Sequence, residues 1–440
     1  MSAASEATNQ EAIRHKAVVT LGHALFNDET LSNPTGQSCA SCHAQAAGWT
    51  FPNSRVNEQS GLVPGANTDR LSRRRPPSLG YLALAPATAP VYSEAIGTYA
   101  GGYFYDGRAA SLDDQVAGPL LGSDEMNNTR EGVVRAVAEG PHAALFERAF
   151  GISCDRLTVD EAFDKIKTAI VAFECSPTFA PFSSKFDAYL RGTAALTPIE
   201  LAGLQLFTGS RTGRPGGAAV KSAGCATCHT LDEVNEQHLF SSSSFHNIGV
   251  PGNPAASYHR QTNAVANPSR LNIARDTFID FGLGDVLYRR LSLPPGNVGS
   301  GSDGRGDFLR INGKFKTPTL RNVDARPTPD FVKSYGHNGY FKSLEQLVHF
   351  YNTRNLTTAR GEVINFTERD PYARLQGQPI WPPPEIADPT TLENPTGIRG
   401  LLGNLGLTST DEANLVAFLR TLSDQRPASQ QSTEDIQQDE

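Results

Sequence analysis

Two copies of one five-residue pattern constrain this chain more than any other feature. Cys39-Ala40-Ser41-Cys42-His43 and Cys225-Ala226-Thr227-Cys228-His229 both read C-x-x-C-H. In such a pattern each thiol can form a thioether to a haem vinyl group, and the adjacent His becomes the proximal ligand of the iron. The competing readings are a redox C-x-x-C followed by an incidental His, or half of a zinc site. Because the whole unit recurs with its own His each time, two covalently bound c-type haems are the better account. Cys154 and Cys175 remain. Covalent haem attachment belongs outside the cytoplasm, where disulfides persist. These two either form a disulfide, closing a loop of roughly 20 residues and worth about 3 kcal/mol, or stay as free thiols.

Composition narrows the rest. At about 150 residues per domain, 440 residues would make two or three domains. A net charge of -7 argues against a nucleic-acid partner. No run approaches 18 apolar residues, so no membrane span is expected. The opening MSAASEATNQEAIRHK lacks the apolar core of a signal peptide. The chain therefore reads as the mature form of an exported, periplasmic protein. Residues 426–440 are polar and expected to be disordered. The only methionines are Met1 and Met126, which leaves almost no thioether to ligate iron.

The chain also repeats itself. Leu21-Gly22-His23-Ala24-Leu25-Phe26 precedes the first haem motif and Gly203-Leu204-Gln205-Leu206-Phe207 the second. The latter helix starts at Thr197-Pro198-Ile199-Glu200, a capping box with Pro at the first helical position. Pro77-Ser78-Leu79 parallels Pro318-Thr319-Leu320. Asp106-Gly107-Arg108 through Asp113 parallels Asn338-Gly339-Tyr340 through Glu345 at an offset of 232. Both stretches read as a tight turn followed by a helix capped by Ser111 or Ser343. The expected fold is mainly α and loop-rich, with two c-type cytochrome domains related by the repeat. They span 14–192 and 193–425, with 426–440 as a tail.

After Ser343, residues Leu344, Leu347, Val348 and Tyr351 fall on one helical face. His349 points roughly 140° away from Leu344. Tyr351 is thus the side chain of this helix better placed to reach the second iron, although a plain core aromatic has the same spacing. The same offset carries Tyr351 to Pro119, which has no donor atom. The first haem should therefore keep an open axial position, where peroxide can bind. His23, His246 and His259 have no distinguishing spacing, and Trp49 is expected to pack on the first haem.

Together with Phe104-Tyr105-Asp106-Gly107-Arg108-Ala109, Gln115, Pro119, Glu125-Met126, Phe315 through Asn322 and His337 through Tyr351, the two motifs make the chain resemble the bacterial dihaem cytochrome c peroxidase/MauG family. The likeness runs from about Leu21 to Leu422. It implies a catalytic Glu at Glu125 and a distal Gln at Gln115, with Arg108 in the same haem pocket and His337 near the propionates of the second haem. Peroxide heterolysis needs a group to move a proton from the near oxygen to the far one, and a desolvated carboxylate has its pKa raised towards the working range. Within the family, Met or Tyr as the last ligand of the C-terminal haem separates peroxidases from MauG-like members, and this chain has Tyr351. A phenolate favours ferric iron and lowers the potential, whereas Met raises it.

The likeness thus implies H2O2 as oxidant and an external electron donor, such as an aromatic residue of a partner protein. A cytochrome c peroxidase fed by a small c-type cytochrome is the alternative, and a non-enzymatic electron carrier the third. Either a monomer or a homodimer fits. Two departures stand out. Tyr105 replaces the family's interhaem Trp. Gly80-Tyr81 stands where the family has a side-chain Asn ligand for an interdomain Ca2+, whose other ligands are backbone carbonyls near Val332 and Ser334.

Overall fold

In the computed structural model, residues 3–211, 220–231, 238–259, 279–291, 311–356 and 381–425 are described, apart from 388, 390, 395, 397 and 398. The tail from 426 lies outside them. Helices dominate: α1 (Ala3–Phe26), α2 (Cys39–Cys42), α3 (Ser54–Gln59), α4 (Leu112–Leu121), α5 (Arg130–Glu139), α6 (Ala143–Phe150), α7 (Val159–Glu174), α8 (Lys185–Leu190), α9 (Pro198–Thr208), α10 (Leu283–Leu291), α11 (Leu344–Thr353) and α12 (Ser409–Arg420). The described sheet is slight. The hairpin β1 (Val91–Ser93) and β2 (Thr98–Ala100) is antiparallel with Val91 opposite Ala100, and β3 (Phe245–His246) pairs antiparallel with β4 (Phe315–Lys316). No described helix is long and apolar enough to cross a membrane.

The helix starts follow from local chemistry. Ser111, Thr129, Thr158, Ser184, Thr197, Ser343 and Thr408 each cap a helix, with the side-chain oxygen accepting from the backbone N–H three residues on. Such a cap is worth about 1 kcal/mol. The capping box at Thr197 and Glu200 forms as its sequence dictates.

Among the described residues two large apolar cores result, beside a small third cluster of Phe245, Leu283, Leu287 and Ile311. One gathers Leu21, Leu25, Phe26, Val116, Phe163, Ile170 and Phe179, and the other Phe186, Leu204, Phe207, Phe240, Leu344 and Phe418. Phe186 of α8 lies in the second core although it precedes residue 193, so core membership changes between Phe179 and Phe186.

Local geometry recurs between the two halves. Tyr103 bridges Ala109 as Tyr335 bridges Phe341, and Gly107 and Gly339 take positive φ of 73° and 72°. These turns deliver α4 and α11 from Ser111 and Ser343. Helix α1 packs along α7, and α9 along α12. Each crossing is tight at a glycine. A Cβ on Gly22 would sit 1.8 Å from the Ala169 carbonyl oxygen, and one on Gly203 would sit 2.0 Å from that of Asn414.

Cys154 is buried and Cys175 exposed at the end of α7, and both are free thiols. The disulfide alternative is not realised. Trp49 also departs from expectation. It stacks on Phe179 with ring centroids 3.9 Å apart, inside the first core, because the flanking Phe26 and Phe179 offer an apolar slot.

Gly22→Ala forces α1 off α7 and should lower stability by about 1–3 kcal/mol, the usual cost of overpacking. Urea denaturation should show a lower midpoint with little change in slope. Gly252→Ala, whose Cβ meets nothing within 4 Å, should leave the midpoint unchanged.

Candidate functional site: two haem cavities sharing a wall

The first cavity, about 540 Å³, is lined by Cys39, Cys42 and His43 and by Phe104, Arg108, Gln115, Pro119, Glu125 and Met126. The second, about 420 Å³, is lined by Cys225, Cys228 and His229, together with His246, Phe315, His337, Leu344, Leu347, Val348 and Tyr351. Among the described residues, only Arg75 and Tyr105 line both. The residues expected at each haem are therefore brought together, Tyr105 on the common wall.

Both histidine rings are held in one orientation. His43 Nδ1 lies 3.0 Å from the Trp49 carbonyl oxygen and His229 Nδ1 lies 2.9 Å from that of Phe240. A backbone acceptor at Nδ1 fixes the ring and its tautomer, leaving Nε2 with a free lone pair. Burial pushes both imidazoles down to about 4, which keeps them neutral. Gln115 is 5% exposed and its side-chain carbonyl oxygen has no protein partner. A buried orphan of this kind marks a place meant for a ligand. Cysteine pairs, preset imidazoles and the orphaned amide all fit a haem in each cavity.

In the first cavity, burial pushes the Glu125 carboxyl above its usual range, Asp124 adding to this and Arg108 and Arg74 opposing it. Arg108 lies over the Phe104 ring at 3.5 Å and pairs with Asp106 at 3.1 Å. Pro119 sits within α4. The Tyr105 hydroxyl is buried with no protein partner. In the second cavity, Tyr351 shares its face of α11 with Leu344, Leu347 and Val348. His349 turns to the other side, where its Nδ1 meets Glu412 at 3.0 Å. His337 stacks on Phe315 at 3.6 Å and reaches Glu385 at 3.2 Å.

Several neighbours were not singled out by sequence. Arg74 grips Asp280 at 2.5 and 2.7 Å and Asp106 at 2.6 Å. Burial raises the Asp106 carboxyl, but Arg74 and Arg108 outweigh it and hold its pKa low. Such a buried pair costs about 3–5 kcal/mol when one partner is removed. Glu174 lines the first cavity, 3% exposed, and burial pushes it up to about 8. Its position continues the buried stripe of Phe163, Ile166 and Ile170 on α7. A carboxylate in such a stripe was the available signal. His246 packs 3.5 Å from Cys228 Sγ and bonds Ser244 at 2.8 Å and Glu393 at 2.9 Å. No sequence spacing relates those four.

Fold and cavities define a protein built to hold two haems around one shared wall. The sequence profile of the di-haem cytochrome c peroxidase family matches residues 16–195. The chain is 32% identical to the methylamine utilization protein MauG of Paracoccus denitrificans, over 93% of this chain and 89% of that one. It is also 32% identical to the cytochrome c551 peroxidase of Nitrosomonas europaea, over 76% of this chain and 68% of that one. The crystal structure of the diheme peroxidase BthA from Burkholderia thailandensis superposes with a TM-score of 0.66 at 30% identity, covering 92% of this chain and 86% of that one. The chain belongs to the di-haem cytochrome c peroxidase family, and it is an H2O2-dependent haem oxidoreductase.

Proposed function

We propose that the protein reacts with H2O2 at a haem carried by Cys39, Cys42 and His43. Electrons for that reaction come from an external donor through a second haem carried by Cys225, Cys228 and His229 and ligated by Tyr351, in the manner of MauG. On this reading it is a periplasmic protein of two c-type domains related by the internal repeat. The observation that carries it is the asymmetry of the two cavities: Pro119 stands in one and Tyr351 in the other, on helices α4 and α11 that leave equivalent turns.

The haem iron supplies a redox-active Lewis acid at which peroxide is activated. The chain's own residues do the rest. Glu125 takes a proton from one peroxide oxygen and returns it to the other. Gln115 turns its unpaired carbonyl oxygen towards the same space and orients the oxidant by accepting its hydrogen bond. Arg108, held by Asp106 and Phe104, keeps positive charge where the leaving oxygen gathers electrons. Pro119, with no donor atom, would leave room beside the iron for the oxidant. Tyr105 bridges the cavities; because its hydroxyl meets no protein acceptor, oxidising it would strand a proton, and it serves best as a bridge that stays reduced. On the second side Tyr351 would supply a phenol oxygen to the haem iron, which would favour its oxidised state.

The 32% identity to a cytochrome c551 peroxidase supports the second reading, in which a small c-type cytochrome is the donor. The two readings differ at the first step. The MauG-like enzyme reacts with stoichiometric peroxide when both haems are ferric, as a stopped-flow shift of the Soret band would record. A requirement for prior one-electron reduction would favour the cytochrome-fed peroxidase.

Glu125→Gln should keep both haems and lower peroxide turnover by about 10²–10⁴-fold, the usual worth of a positioned proton-transfer group. The working form of Glu125 is its carboxylate. Since burial raises its pKa, wild-type turnover should fall as pH drops through a value above the ordinary carboxylate range. Arg108 and Arg74 oppose that rise and Asp124 supports it. In Glu125→Gln this acid limb should vanish. Unchanged turnover would remove Glu125 from the mechanism.

A further inference from the structure

The Trp49 carbonyl that orients His43 belongs to a short loop, and that loop is clamped from the other half of the chain. Lys333 is 2% exposed. Its Nζ donates to three backbone carbonyl oxygens: Ala47 at 2.9 Å, Asn322 at 3.0 Å and Ala325 at 3.1 Å. An ammonium has three N–H donors and no acceptor, so these carbonyls use all of it. A neutral amine would leave one carbonyl facing a lone pair.

The contact is close on both sides. Gly48 sits at φ +68°, and a Cβ there would lie 2.7 Å from the Asn322 carbonyl oxygen. Ser78 Oγ donates to the Gly48 carbonyl at 2.7 Å, and Thr50 Oγ1 donates to the Ala47 carbonyl at 2.7 Å. The loop from Ala44 to Thr50 is closed by Trp49 N–H donating to the Ala44 carbonyl at 2.8 Å. Ala47 is thus held by Lys333 two residues before the carbonyl that bonds His43.

The interdomain Ca2+ that the resemblance implies does not fit these residues. Gly80-Tyr81 stands at the place of the side-chain ligand, and of the two only Tyr81 has a side chain that carries an oxygen. Its φ is +62°, and its hydroxyl is spent on both oxygens of Asp424 at 2.9 Å. Ca2+ needs six to eight oxygens, and the Ala47 carbonyl, which faces the C-terminal half here, is already taken by the Lys333 ammonium.

We propose that Lys333 is a positioning residue for the first haem: fixed in the C-terminal half, its ammonium sets the Ala47–Trp49 loop and through it His43, and it stands in for a divalent cation between the halves. This rests on the reading of His43 as the proximal ligand.

The test uses the dihaem holoprotein. In Lys333→Met the ferric EPR signal of the first haem should split into more than one species and its midpoint potential should shift. The signal and potential of the second haem should stay as in wild type, which a general loss of stability would not produce. Thr50→Val, which removes the other donor to the Ala47 carbonyl, should move the first haem alone and by less. It serves as the readout if Lys333→Met does not accumulate. Wild-type spectra should be indifferent to EDTA and to added CaCl2. An unchanged first haem in the variant read, or a chelator-induced change in wild type that Ca2+ reverses, overturns the proposal. A wild-type first haem without histidine ligation overturns both this proposal and the reading beneath it, so the two failures are distinct.

Discussion

His43 and His229 each hang by Nδ1 from a carbonyl outside their own motif, Trp49 in one case and Phe240 in the other, and much of the surrounding structure serves to place those two carbonyls. Trp49 is anchored because its ring stacks on Phe179 in the first core. Phe240 is anchored because its ring is fully buried among Phe186, Phe207 and Phe418 in the second. In both halves an aromatic side chain thus enters the helical core while its own backbone oxygen holds the imidazole. Packing energy is converted in this way into orientation of an imidazole.

The haem motifs and the helix starts were legible because each depends on a few adjacent residues. C-x-x-C-H needs nothing beyond its own spacing, and Thr197 with Glu200 closes a capping box within one turn. The rest depends on partners far apart in the chain. Arg74 meets Asp280 across 206 residues, and Lys333 meets Ala47 across 286. No periodicity links such residues. Trp49 misled for a related reason. Its position after the motif pointed to the haem, but its ring went to the apolar slot between Phe26 and Phe179. Cys154 and Cys175 share a compartment argument but not a site, one buried beside Val134 and the other exposed.

The turns before α4 and α11 share a bridge and a positive-φ glycine, and the faces of the two helices differ. Equivalent turns launch α4 and α11, and both helices present a face to a cavity. On α4 that face carries Gln115 and Pro119, with Glu125 and Met126 just beyond the helix end. On α11 it carries Leu344, Leu347, Val348 and Tyr351. On the proposed reading, a ring without a donor atom in place of a phenol decides which haem is free to react.

Low-temperature EPR of the resting, fully ferric dihaem protein tests this asymmetry most directly. The account predicts one high-spin haem, open above Pro119, and one low-spin haem whose signal alone changes in Tyr351→His. Two low-spin, six-coordinate haems in the resting protein would contradict it.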